Sequence, residues 1–175
     1  MANHGKGSVI SQGTISAEKQ QSIANAQFNA SQVIGKTVAT TLKGVQKEVS
    51  QRAYRASNEL RNASLYVLRG TRSGKVYRVP NTGKTYKASA PGEPPAVRTG
   101  AFRLSWGTHV HVEKKGVHFR AVASIESKER AGGRLLGEML ENGTKRMKPR
   151  PYKQKIIDRA MPKVKELYKK PYKGS

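Results

Sequence analysis

Ala88–Trp106, reading ASAPGEPPAVRTGAFRLSW, is the joint on which the fold of this chain turns. Pro91-Gly92 is a turn signal, and Pro94-Pro95 fixes two φ angles while pushing the residue before each proline into extended backbone. With Pro80 nearby, four of the chain's eight prolines gather in this region. A stiff, non-helical strap is therefore expected, ending at Thr99-Gly100. From there Ala101, Phe102, Leu104 and Trp106 are placed to drop apolar side chains into a core. Gly100 is expected to provide backbone freedom that a side chain denies, because the chain turns inward there.

Upstream of the strap the pattern is helical. From Val33, the residues Ile34, Val38, Leu42, Val45, Val49, Ala53, Ala56, Leu60, Ala63 and Val67 follow in steps of three and four. That stripe predicts a helix from Ser31 to Leu68, roughly 55 Å long at ~1.5 Å per residue. Gly35 and Gly44 weaken it locally, and Arg69-Gly70 supplies a stop, with Gly70 a suitable C′ residue. Ser16 can cap an earlier start with Glu18 in the first turn, but the stripe over residues 16–30 is thin. Residues 1–30 thus read as a flexible or partly helical arm, with Gly5, Gly7 and Gly13 in its first half. The stripe can pack on a sheet of its own domain or against neighbouring subunits, and the plain amphipathic reading favours the sheet.

Between helix and strap, Lys75–Val79 and Thr85–Ala88 flank Pro80-Asn81-Thr82-Gly83 as a basic, exposed hairpin in which Tyr77 and Tyr86 can pair. Beyond the strap, Arg98–Ser105 reads as a short helix or turn. His109–Glu113 and Val117–Ile125 alternate about Lys114-Lys115-Gly116 as the clearest hairpin in the chain. Val110 and Val112 share one face, as do Val117, Phe119, Ala121, Ala123 and Ile125 on the return strand. Leu135–Leu140 gives a helical turn or two, stopped by Asn142-Gly143. A basic amphipathic helix follows over Tyr152–Tyr168, which Pro162 is expected to kink or split. The fold class is α+β: a long N-terminal helix packed on a small antiparallel sheet, with a C-terminal basic helix. The domain spans residues 31–168 and a basic tail occupies 169–175.

Charge is the strongest compositional signal. The 175 residues carry 34 Lys+Arg against 11 Asp+Glu, a formal net of +23. Such an excess repels itself in a compact chain and calls for a polyanionic neighbour, either nucleic acid or an acidic protein surface. From Gly143 onward twelve Lys and Arg face only Asp158 and Glu166. Hydrophobic residues are 35% and aromatics 6%, so a modest core completed by association is expected. The absence of cysteine removes disulfides, thiolate zinc sites and cysteine nucleophiles. No stretch has the length of a membrane span or the apolar core of a signal peptide, which points to a cytoplasm-like compartment unless the protein leaves within an assembly.

Catalytic chemistry finds little footing. Glu126-Ser127-Lys128 has the look of a nuclease Glu-x-Lys, but the single aspartate, Asp158, lies in the basic helix and cannot precede it. His109, His111 and His118 share the polar face of the hairpin, with Glu113 the one nearby carboxylate; ordinary exposed histidines are the better reading than zinc ligands. Gly132-Gly133-Arg134 lacks the strand, helix and lysine of a phosphate loop. No enzyme, metal or cofactor is expected. Contact with DNA or an acidic partner is expected instead from Arg72, Lys75, Arg78, Lys84 and Lys87 near the first hairpin, and from Lys145, Arg146, Lys148 and Arg150. Such contact neutralises phosphates without reading bases.

Two further motifs complete a pattern. Ser89-Ala90-Pro91-Gly92-Glu93-Pro94-Pro95-Ala96-Val97-Arg98-Thr99-Gly100-Ala101-Phe102-Arg103-Leu104-Ser105 is followed by a hairpin, then by Glu141-Asn142-Gly143-Thr144 and Arg150-Pro151-Tyr152 before the last helix. In order and spacing, residues 31–168 resemble the neck or tail-completion (head–tail joining) proteins of long-tailed bacteriophages. The departures are Asn142, where that family usually has an aromatic, and Tyr152, where it has Phe. The resemblance implies a structural role for Pro91, Gly92, Pro94, Pro95, Thr99, Gly100, Phe102, Ser105, Glu141, Gly143, Thr144, Pro151 and Tyr152. It implies a non-enzymatic virion protein forming a homo-oligomeric ring, a hexamer or dodecamer, assembled in the host cytoplasm. Its partners would be head-closure or connector and tail-tube proteins, with packaged DNA passing near the basic surface and no membrane involved. The alternative is a sequence-independent nucleic-acid-binding protein.

Overall fold

The structure, a computed structural model, describes residues 16–116 and 118–172. The expected flexible start over residues 1–15, the place of Val117 on its strand face and the end of the basic tail lie outside the described residues. The chain divides between Lys43 and Gly44 into two units. Helix α1, Ala17–Arg69, contributes to both.

In the first unit, α1 starts earlier than the apolar stripe requires. The Ser16 carbonyl accepts the first two helical bonds, from Lys19 and Gln20, both at 3.0 Å. Glu18 stands in the first turn, where the helix dipole favours an acid. Ser22, Ser31, Thr37 and Thr40 turn their hydroxyls back onto carbonyls three or four residues earlier, which keeps these polar residues compatible with a helix. Every residue from 17 to 41 is exposed, including Ile23, Val33 and Val38.

In the second unit, residues 44–69 of α1 bury Arg52, Ala53, Ala56, Ser57, Ala63, Ser64 and Leu68. On this face the Ser57 and Ser64 hydroxyls satisfy themselves on the carbonyls of Tyr54 and Arg61. The principal partner is α4, Lys153–Lys169, through Ile156, Ala160 and Val164. Cross-contacts fix the orientation: the Arg159 guanidinium lies 3.2 Å from the Tyr66 ring centroid and Lys163 pairs with Glu59 at 3.4 Å. Arg52 donates to the carbonyls of Lys170 and Pro171 and stacks on Tyr172. These contacts climb α4 as they descend α1, so the two segments are antiparallel. Arg52 also pairs with Glu48, and it covers the negative end of α4.

The strands form three separate antiparallel pairs in place of one sheet. β1, Val76–Arg78, pairs with β2, Thr85–Lys87, with Tyr77 opposite Tyr86 and the rings stacked 5.9 Å apart, as the sequence predicts. β3, Trp106–Lys115, pairs with β4, His118–Ser127, over ten residues each, longer than the alternating pattern alone suggests. Trp106 and Ile125 carry the base of this hairpin into the core, and Arg61 of α1 bonds the Trp106 carbonyl at 2.9 Å. Toward the tip the apolar face is only partly covered, and Val112 is exposed. The long helix therefore meets this hairpin at its base, where Ile156, Ala160 and Val164 of α4 join the same core.

β5, Arg130–Ala131, and β6, Arg134–Leu135, close around Gly132 and Gly133, both at positive φ. A Gly-Gly pair is a strong signal for the tight turn of such a hairpin. α3, Leu136–Asn142, stops at Gly143, whose φ of 79° suits glycine. A Cβ there would stand 2.7 Å from the Met147 carbonyl oxygen. α4 runs unbroken through Pro162, so the expected split does not occur. Pro162 is exposed and opposite the Ile156–Ala160 face, so its missing N–H costs one solvent-side bond and no packing. Gly70 has no left-handed φ, so it stops α1 without the expected C′ conformation.

The strap also differs from expectation in what it buries. Pro94, Pro95, Gly100 and Trp106 are buried and Phe102 is half-buried, whereas Ala101 and Leu104 (62% exposed) face solvent. α2, Ala101–Leu104, is one helical turn, so only one side of it can meet the core. Gly100 precedes it with φ 87° and ψ −12°, and nothing lies within 4 Å of where its Cβ would be. Its requirement is conformational and not spatial. Gly100→Val should therefore destabilise the protein by about 1–3 kcal/mol, and Gly100→Asn by clearly less, because Asn tolerates left-handed backbone. Denaturant midpoints of the two variants check this, and equal losses would point to packing.

Candidate functional site

The motif residues scattered through the sequence converge on Tyr152. Its side chain is almost fully buried. The rings of Phe102 and Trp106 meet it edge-on at 5.7 and 5.9 Å, and meet each other at 5.6 Å. Each ring thus presents a positive edge to a neighbour's negative face. The Tyr152 hydroxyl donates to the Gly137 carbonyl at 3.1 Å, and a side chain at Gly137 would collide with that oxygen at 2.8 Å. Burial, reinforced by Glu141 and Glu138, pushes the phenol well above its ordinary value, so it remains a donor.

Around this aromatic triad, polar motif residues close the backbone. Glu141 accepts from the N–H groups of Tyr152 (2.9 Å) and Lys153 (3.2 Å), capping α4 from the end of α3. Tyr152 at the N-cap position has no side-chain cap of its own, so the carboxylate takes that role across the tertiary structure. The Thr144 hydroxyl accepts from Arg146 and Met147, and Ser105 meets Ser127 at 2.6 Å. Thr99 accepts from Ala101 at the entry to α2. Gly92 N–H donates to the Pro149 carbonyl at 3.3 Å, tying the strap to the segment that leads into Pro151 and Tyr152.

The strap is pinned at its other end by Arg72 and Glu93. Arg72 bonds the carbonyls of Val67 and Pro95, joining the end of α1 to the strap. Desolvation lowers its pKa, and Glu93 opposes that shift. Arg72 is thus committed internally and is not the free anion contact the sequence suggests. Glu93 accepts from the hydroxyl and N–H of Ser73 and from the N–H of Ala90. These bonds, led by the Ser73 hydroxyl, hold its carboxyl down at about 2.

Lys75, Arg78, Lys84 and Lys87 are exposed on and beside the β1–β2 hairpin, and Lys145, Arg146 and Lys148 are exposed after α3. Arg150 departs from that group. It is half-buried, with its Nη1 shut from water and without an acceptor. Arg103, in α2, is likewise half-buried with an unpartnered Nε. Both line a cleft of about 530 Å³ bounded by the strap, α2, the β5 strand and α3. An unpaired buried N–H costs about 1–3 kcal/mol, so two in one wall mark a site. Sequence patterning gave no signal for Arg103, since nothing in periodicity tells a solvated arginine from one held against a cleft.

The residues weighed for catalysis meet at most in exposed pairs. His109 faces Glu126 at 3.7 Å and His111 faces Glu113 at 3.3 Å, on exposed strand positions. Asp158 bonds Gln154 on α4. Among the described residues no cluster of three His, Asp or Glu could hold a metal ion, and no helix is long and apolar enough to cross a membrane.

No protein-family model, curated protein or solved structure matches the chain. The functional reading therefore stands on the motif geometry and the exposed surfaces.

Two consequences concern these clasps. Glu93 is ionised more readily in the folded chain than in the unfolded one, so its stabilisation is complete above its ordinary pKa of 4.5 and is lost as pH falls toward about 2. Glu93→Gln should lower the melting temperature at pH 7, with the gap to the parent narrowing across that window. A gap unchanged at pH 2.5 would remove the carboxylate from this role. Glu141→Ala should cost about 1–2 kcal/mol, the value of a lost helix cap, in urea denaturation.

Proposed function

We propose that the protein is a non-enzymatic structural component of a long-tailed phage virion, forming a ring in the neck where tail meets head. The observation that carries the reading is the apolar surface of α1 in the first unit. Phe28 is 64% and Ile34 63% exposed, with Ile23, Val33 and Val38 exposed beside them. Ile34 and Val38 begin the same three-and-four stripe that is buried further along the helix. A soluble chain with few hydrophobic residues gains most by covering such a stripe with a neighbour, and repeated head-to-tail covering closes a ring. The resemblance of the strap, Glu141–Thr144 and Arg150–Tyr152 motifs to neck proteins supports the same reading. Exposed basic side chains at the β1–β2 hairpin suit passing DNA or an acidic connector surface.

The rival is a free, sequence-independent nucleic-acid-binding protein, favoured by the +23 net charge alone. Light scattering of the purified protein, with and without duplex DNA and with connector or tube protein, separates the two. A closed ring, formed alone or on the connector or tube protein, is the expected outcome. Ile34→Glu together with Val38→Glu should leave the α-helical signal intact and shift the particle to monomer. A monomer that binds duplex DNA tightly at low salt and releases it steeply as salt rises would overturn the neck reading.

A further inference from the structure

We propose that the cleft behind the strap is a docking groove for an extended, carboxylate-bearing peptide segment of another protein. It stands on the cleft's own chemistry and does not rest on the virion reading. The walls are apolar, built from Val97, Phe102, Leu136, Leu140 and Met147. Charge on the same lining is one-sided: Arg98, Arg103, Arg130 and Arg150 stand against Glu129 alone. Arg103 and Arg150 make no side-chain hydrogen bond or ion pair among the described residues, and each has a nitrogen closed off from water. Their half-buried guanidinium heads are planar forks that suit a carboxylate, and they are less hydrated than ammonium groups.

The strap adds a backbone template. The N–H and C=O groups of Ala96, Val97 and Arg98 form no hydrogen bond among the described residues. Ala96 and Val97 follow Pro94-Pro95 outside any helix or strand, so an incoming segment can bond to these open backbone groups while its side chains enter the apolar wall. An acid on that strand would reach the arginines.

The shape argues against duplex DNA as the occupant. Phosphates on a duplex lie on a broad rod and meet exposed cations, whereas Arg103 and Arg150 are set among apolar walls. A second copy of this chain is a poor source of the acid: it carries 11 Asp+Glu against 34 Lys+Arg, and several of those acids are engaged. Glu93 and Glu141 are bonded to backbone N–H groups, and Glu48 and Glu59 pair with Arg52 and Lys163. A partner richer in carboxylates matches the one-sided charge.

The test uses two short fluorescein-labelled peptides, one alternating Leu and Glu and the other alternating Leu and Gln. Anisotropy is read with the full chain at about 0.3 M salt, where exposed charges are screened over several ångströms. The Glu peptide should bind at least about tenfold more tightly than the Gln peptide. Arg103→Gln and Arg150→Gln should each weaken it about tenfold, while Lys163→Gln, with the same charge loss on α4, should change it less than about twofold. Because either arginine variant could lose stability, a photo-reactive Glu peptide is also cross-linked to the unmodified chain. Adducts on residues 95–103 or 129–150 support the proposal. Equal affinity for the two peptides, equal loss with Lys163→Gln, or adducts confined to α4 would overturn it. So would displacement by a duplex oligonucleotide whose own binding falls in the same arginine variants, which would make the cleft a phosphate site.

Discussion

The second unit depends on the burial of one tyrosine. Tyr152 belongs to no strand and begins no capped helix by itself, yet four elements meet on it. Phe102 brings α2, Trp106 brings the base of β3, Gly137 and Glu141 bring α3, and Ile156 lies one turn along in α4. The phenol can be buried because its hydroxyl has a carbonyl acceptor, and its backbone N–H because a carboxylate waits for it. Replacing the ring by an aliphatic side chain would lose two edge-on ring contacts and the bond to the Gly137 carbonyl together.

That arrangement explains how a chain with 35% hydrophobic residues folds at all. Its aliphatic core is small: Ala63, Leu68, Ile156 and Ala160, with partly buried neighbours. Aromatic area, tertiary capping by Glu141 and guanidinium clasps by Arg52 and Arg72 supply what aliphatic burial does not. Each clasp bonds backbone carbonyls or N–H groups at the end of a helix or turn, where the helix itself supplies no partner. Polar residues in this protein close the backbone, and the bulk of its charge remains outside.

The sequence exposes some of this plainly and hides the rest for physical reasons. Three- and four-residue spacing predicts α1 and α4, strict alternation predicts β3 and β4, and the Tyr77–Tyr86 pair follows from turn residues between them. Continuation of α1 back to Ala17 leaves no periodic trace, since an exposed helix has no face to mark. The β5–β6 hairpin leaves no alternating trace, because its two-residue strands are too short, and Gly132-Gly133 is weighed above only as a phosphate loop. Partner choice is hidden in a different way. Apolar spacing says that α1 has a buried stripe, but not that its Ala63–Leu68 end shares one core with α4, Trp106 and Ile125. Arg72, Arg103 and Arg150 look alike in sequence, and only tertiary placement separates a clasp from a cleft wall.

The strap motif therefore informs about fold before function. Glu93, Thr99, Gly100, Ser105, Glu141 and Gly143 each satisfy or shape backbone at a fixed point. Any chain that turns from a long helix through this strap into this hairpin meets the same backbone demands, whatever its surface does. What distinguishes one such protein from another must lie where the backbone makes no demand: the exposed α1 stripe, the basic hairpin and the unpaired arginines of the cleft. Arg103 belongs to both worlds, carried by the motif segment yet without a side-chain hydrogen bond or ion pair among the described residues. A guanidinium nitrogen shut from water without an acceptor is a cost that nothing in the surrounding packing offsets, which is why the cleft and not the clasps carries the docking proposal.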